Sequence, residues 1–191
     1  MRRPSVVRRS FLVAVLVTTL LLTVGTSGAG LHAAAAPAGW RALFPPALAY
    51  PQGTHLLPVQ TATRAGTLLA PAAAAQVTRA GFVTGGAQYA TLPAGAVASV
   101  TVLVFHTAHG AAAFLLHYHP AELADSSAPG VTVPGLADGG RYVAGACATC
   151  GPSAAPVGVL LVRRGEAVVQ ILTQPTNRSL AMRLGHAALR Q

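Results

Sequence analysis

The sequence predicts an α+β domain: a mainly antiparallel sheet of about five strands, covered by two to three helices, after an N-terminal signal segment. Three observations predict it. Val- and Leu-rich runs at 96–105, 157–162 and 166–173 have strand composition. Short Gly- or Pro-containing turns join strands to neighbours, and such turns allow antiparallel pairing, whereas parallel pairing needs a long crossover. Finally, 71–79, 108–118 and 175–189 carry apolar or small residues on one helical face.

The first segment is an address. Arg2, Arg3, Arg8 and Arg9 precede an apolar run at 11–24, and small residues follow through Ala36. This order of charge, grease and small residues reads as an export signal over 1–35. Residues 27–29 or 33–35 suit a signal peptidase, Pro37 disfavours a cut after Ala36, and no Cys stands near to take a lipid. Arg8-Arg9-Ser10-Phe11-Leu12 resembles a twin-arginine motif, while the greasy run suits the general secretory route, so both routes stay open. An uncleaved anchor also stays open, although 11–24 is shorter than the roughly 20 residues of a spanning helix.

Residues 36–60 are rich in Pro and hold Trp40, Phe44 and Tyr50, which predicts an extended arm with its aromatics on the domain. The single α+β domain is expected over 61–191. Pro71 opens a short helix and Gly81 stops it. A strand follows at 82–92, where Gly85-Gly86 predicts a bulge or a close backbone approach. Pro93-Ala94-Gly95 turns the chain into 96–105, apolar on both faces and therefore central. Thr107 is placed to cap the next helix, whose stripe is Ala111, Phe114, Leu115 and Tyr118, and Pro120 ends it. Residues 121–140 read as a long loop, which inside a compact domain is functional or mobile. Strands at 141–147 and 157–162 precede a hairpin turn at Arg164-Gly165 into 166–173. A final amphipathic helix buries Leu180, Leu184 and Ala188 and turns Ser179, Arg183, His186 and Arg190 outward.

Composition narrows the chemistry. The 191 residues include 40 Ala, 13 Arg, no Lys and only four acids, for a formal net charge of +9. Cutting after Ala35 leaves 191 − 35 = 156 residues and removes four Arg, so nine Arg against four acids give +5. Such a surface has a weak attraction for anionic surfaces, although Arg written by compositional bias explains it as well. Absent Lys excludes Schiff-base chemistry. No G-x-S-x-G, H-E-x-x-H, Walker-type or dinucleotide-binding motif occurs, and no basic stripe with interleaved aromatics suggests nucleic acid.

The segments GFVTGGAQY (81–89), VTVLVFHTAHGAAAFL (100–115) and VLLVRRGEAVVQI (159–171) resemble a pattern in exported bacterial proteins of uncharacterised function. Their layout is similar to the PsbP-like fold and to extracytoplasmic sensor domains. The resemblance covers about 81–191 and implies an α+β fold with an envelope role; it brings no catalytic residues.

Cys147-Ala-Thr-Cys150 is the sharpest local motif. In an oxidising compartment the pair closes a disulfide; a redox-active pair, a metal site and free thiols stay open beside it. His106, His109, His117 and His119 form a second cluster with weak metal-ligand character, but His109 and His117 are about 12 Å apart along a helix, so one ion cannot bind both. Ser126-Ser127, a His and Asp138 supply the ingredients of hydrolysis without its arrangement. No cofactor is expected. The reading is an exported cell-envelope domain that binds an unknown ligand or protein without catalysis, its contact surfaces being loop 121–140, the aromatic arm and the Arg183/His186/Arg190 face. The alternatives are a thiol-redox or metal-handling protein and a structural envelope component; the oligomeric state is open. N-terminal sequencing of the exported protein is expected to begin between residues 30 and 36; an intact Met1 would overturn the cleavage expectation.

Overall fold

Val97–Phe105 (β4) places apolar side chains on both sides of its backbone, and such a strand is stable only between two strands and two covering layers. The computed structural model, which describes residues 39–124, 130–136, 138–148, 150 and 154–190, gives it both. Residues 1–35, expected to be a signal segment, lie outside the described residues. β4 pairs antiparallel with Phe82–Thr91 (β3) on one side and Ala167–Gln174 (β8) on the other. Val157–Arg164 (β7) and Gly140–Gly145 (β6) extend the sheet beyond β8, so all five expected strands are present.

Among the described residues the sheet has eight strands rather than five, and the three beyond expectation are short edge pieces. His55–Leu56 (β1) and Gln60–Ala62 (β2) both pair with the outer edge of β3. Val131–Thr132 (β5) pairs with β6 inside the stretch expected to be loop. Pieces of two or three residues carry too little alternation to announce themselves; the partner's free backbone groups select them. Gly85 and Gly86 continue the β3–β4 pairing, and the register shift lies earlier, between Phe82 and Thr84. Close approach explains Gly86: a Cβ there would meet the Gln60 carbonyl at 2.8 Å and the Phe44 and Trp40 rings at 3.3 Å.

Register defines the two faces. Val100, Val102 and Val104 share one with Leu160, Val162, Val169 and Ile171. It is covered by Arg178–Leu189 (α3) and by the N-terminal arm. That arm is not simply extended: it turns in 3-10 geometry at Trp40–Leu43 and Ala47–Ala49, which carries Leu43, Phe44 and Tyr50 into the core. Leu103, Phe105, Leu161 and Val168 lie on the second face, beneath Pro71–Arg79 (α1) and Ala108–His117 (α2). The layers are thus helix and arm, sheet, then two helices.

Helix ends follow local chemistry. Thr107 Oγ1 accepts from the Gly110 N–H at 3.0 Å, capping α2 as expected. Asn177 Oδ1 accepts from Leu180 N–H at 2.9 Å at the start of α3. Leu180, Leu184 and Ala188 are buried, and Gly185 lets α3 settle closely enough that a Cβ would lie 2.9 Å from Leu160. Leu184→Ala is expected to cost about 2–5 kcal/mol through lost burial and an unfilled cavity. Asn177→Ala removes only the cap, about 1 kcal/mol. With no shared partner the two losses should add to within about 0.5 kcal/mol in urea unfolding.

Candidate functional site

The second sheet face is not covered along its whole length. α2 lies over the half of β4, β7 and β8 near Phe105, where Phe114 stacks 5.3 Å from Phe105 and 4.4 Å from Tyr118. Toward the β3–β4 hairpin neither helix reaches the sheet, and Tyr89 and Val97 remain 45% and 40% exposed. The result is a cleft of about 460 Å³. Its floor is Tyr89, Val97, Ser99, Thr101, Gln170 and Leu172, its walls Leu68 and Leu69 ahead of α1 and Glu122 beyond α2. A concave, mainly apolar surface with a few convergent polar groups is the ordinary form of a small-ligand site.

Those polar groups meet at one point. Gln170, 3% exposed, is the polar residue opposite Thr101 in the β4–β8 register. Its Nε2 donates to Glu122 Oε1 at 3.2 Å. The reversed amide would set a carbonyl against a carboxylate, so the pairing fixes which way the amide points. Gln170 Oε1 and Glu122 Oε2 then remain buried without a hydrogen bond among the described residues. Tyr118, 1% exposed, adds a hydroxyl with no well-formed bond, although the Gln170 amide and the Ala121 N–H face it. Burial raises the Tyr118 pKa well above the ordinary phenol value; the Glu122 charge adds to the rise, and Gln170 and Ala121 partly offset it.

The segment carrying Glu122 is pinned. Leu123 bridges Cys147, Ala124 N–H donates to Ala146 carbonyl at 2.9 Å, and Ala148 N–H donates to Glu122 carbonyl at 2.9 Å. Cys147 and Cys150 are joined by a disulfide with Cα atoms 5.5 Å apart. So short a loop gains about 2 kcal/mol from chain entropy. The link stiffens the strip against which Glu122 is held. Gln174 Nε2 also reaches the exposed Cys150 Sγ at 3.4 Å.

The other sequence candidates lie elsewhere. His106, His109, His117 and His119 are all exposed, and among the described residues no three His, Cys, Asp or Glu gather as a metal site. His117 and His119 do share a shallow groove between α1 and α2. Asp138 Oδ2 accepts the Gly165 N–H at 2.6 Å and lies 4.0 Å from Arg163, so it braces the β7–β8 turn instead of orienting a catalytic base. Ser126 and Ser127 lie outside the described residues. Arg183 and Arg190 are exposed on α3 and His186 is half-buried, on the far side of the sheet from the cleft. Loop 121–140 contributes Glu122 to the cleft, whereas the aromatic arm contributes to the opposite core. Gln170 was missed from sequence; its signal is the one polar side chain inside the apolar run Ala167–Ile171.

Fold and site together define an α+β domain with a half-open antiparallel sheet and a polar-floored cleft. No family model, PsbP-like or other, and no curated protein matches the chain. Among solved structures it is similar to the extracellular domain of PknH from Mycobacterium tuberculosis, at 13% identity and a TM-score of 0.46, over 72% of this chain and 83% of that one.

Tyr50, buried without a partner among the described residues on the opposite face, is pushed up to about 12 by burial alone. Below ~10, the unfolded phenol value, such groups leave stability intact. Above it the unfolded chain loses its protons first, so stability falls as pH rises toward the folded values. A Tyr50→Phe/Tyr118→Phe variant should therefore unfold at a higher alkaline pH than the parent in circular dichroism. An unchanged or lower midpoint would refute the burial argument.

Proposed function

We propose that the protein is an exported, non-catalytic binding domain of the cell envelope whose ligand seat is the cleft over β3, β4 and β8. The observation that carries this reading is the uncovered sheet half, where apolar side chains surround buried polar atoms that lack partners among the described residues. The export signal read in 1–35 supports the compartment, as does the disulfide, since such links persist where the surroundings oxidise. Among the described residues no helix is long and apolar enough to cross a membrane. The non-catalytic part of the reading rests on the groups that converge there: Gln170 and Glu122 at the cleft, with the Tyr118 hydroxyl behind them, are hydrogen-bonding groups that hold one another.

The redox alternative has less behind it. Reactive cysteine pairs take their low thiol pKa from a helix N-terminus or a nearby cation. None of the three described helices begins at Cys147 or Cys150. Their disulfide instead lies where the Glu122 strip meets the end of β6.

A neutral apolar probe tests the cleft. Titrating 1-hexanol into the full chain should shift the amide resonances of Tyr89, Val97, Ser99 and Leu172 in a saturable way. Ser99→Trp, which fills the floor, should abolish those shifts with the circular dichroism spectrum unchanged. Shifts confined to α3 or to the arm would overturn this seat.

A further inference from the structure

From the cleft's polar floor, and resting on the reading of that cleft as the ligand seat, we infer that the ligand class is an apolar molecule ending in a cationic, hydrogen-donor-rich group such as a primary ammonium. The argument starts from donors and acceptors. Gln170 spends its Nε2 on Glu122 Oε1. What remains, besides the second Nε2 hydrogen that faces the Tyr118 hydroxyl, is acceptor: Gln170 Oε1 and Glu122 Oε2, neither bonded among the described residues. An ionised carboxylate only accepts, and an amide oxygen only accepts. The Tyr118 hydroxyl brings one donor of its own to this point; beyond it the floor asks for N–H or O–H groups.

Charge decides among donors. Among the described residues Glu122 is the one charged residue lining the cleft, and it forms no ion pair there. An ammonium brings three donors and a compensating charge; an alcohol brings one donor and no charge; a carboxylate brings acceptors and a repulsive charge. A half-buried carboxylate beside a buried amide makes the charged match stronger than it would be in open water. Beyond this floor Leu68, Leu69, Val97, Leu172 and the Tyr89 ring provide an apolar channel for the rest of the molecule. The Tyr89 face, open to solvent, is also a surface over which a cation is attracted.

The test compares three probes of one chain length, hexylamine, 1-hexanol and hexanoate, titrated at neutral pH into the full chain by calorimetry and amide shifts. Hexylamine is expected to bind at least tenfold tighter than hexanoate and tighter than 1-hexanol. Glu122→Gln should remove the preference for amine over alcohol, the amine losing far more affinity than the alcohol. Hexanoate binding as tightly as hexylamine, or an amine preference that survives Glu122→Gln, would overturn the donor assignment while leaving the cleft reading intact. If none of the three probes binds the parent chain, both the cleft reading and the inference fall. Should Glu122→Gln fail to fold, the amine-to-carboxylate ratio on the parent chain decides alone.

Discussion

The β4–β8 pairing is the constraint on which the rest of the molecule depends. Both strands sit inside the sheet, so every apolar residue on either side of them must find a covering layer or be left facing water. On one face α3 and the aromatic arm complete the cover, and Val100, Val102, Val169 and Ile171 are fully buried. On the other, α1 and α2 cover Leu103, Phe105 and Val168 but stop short of the β3–β4 hairpin. Strand composition follows this boundary. Beyond Leu103 the second face of β4 carries Thr101 and Ser99 in place of large aliphatics, and β8 answers with Gln170.

Much of this was legible because it is local. α1 begins at Pro71 and ends at Arg79 as its Pro and Gly punctuation requires, and Thr107 caps the helix it precedes, while the last helix begins at Arg178, three residues later than expected. The turn at Arg164-Gly165 follows from a Gly with φ +58 between two Val-rich runs. What stayed illegible is what another part of the chain decides. β1, β2 and β5 exist because β3 and β6 have backbone edges to satisfy. The arm folds into 3-10 turns because Gly86 opens a place for the rings of Trp40 and Phe44. The cleft joins Glu122 to Gln170 across 48 residues of sequence, a distance no spacing rule spans.

The cysteine pair shows how a correct local observation gains its meaning from position. Its spacing permits a small disulfide, a redox couple or part of a metal site. In the fold its first sulfur belongs to the strip that pairs with Leu123, so the link acts on the backbone beside Glu122. A carboxylate half-buried at the edge of an apolar cleft must be held against its tendency to swing into water. Backbone hydrogen bonds on either side of Leu123, together with the disulfide, supply that restraint. The histidines have no such context: exposed on α2 and its flanks, they are placed by helix ends and solvent.

The scarcity of acids sharpens the cleft's meaning. Of four acidic residues, Asp138 braces a hairpin turn, while Glu122 is half-buried and contributes no ion pair among the described residues. In a chain with thirteen Arg, pairing that carboxylate with a guanidinium would have been the simplest way to neutralise it. Its bonded partner is instead Gln170, a neutral donor that holds one oxygen and leaves the other bare. An amide partner keeps the negative charge uncancelled at short range. The floor is thus locally anionic within a chain of formal net charge +9, and on the proposed reading of the cleft that local sign, rather than the net charge, is what a ligand would meet.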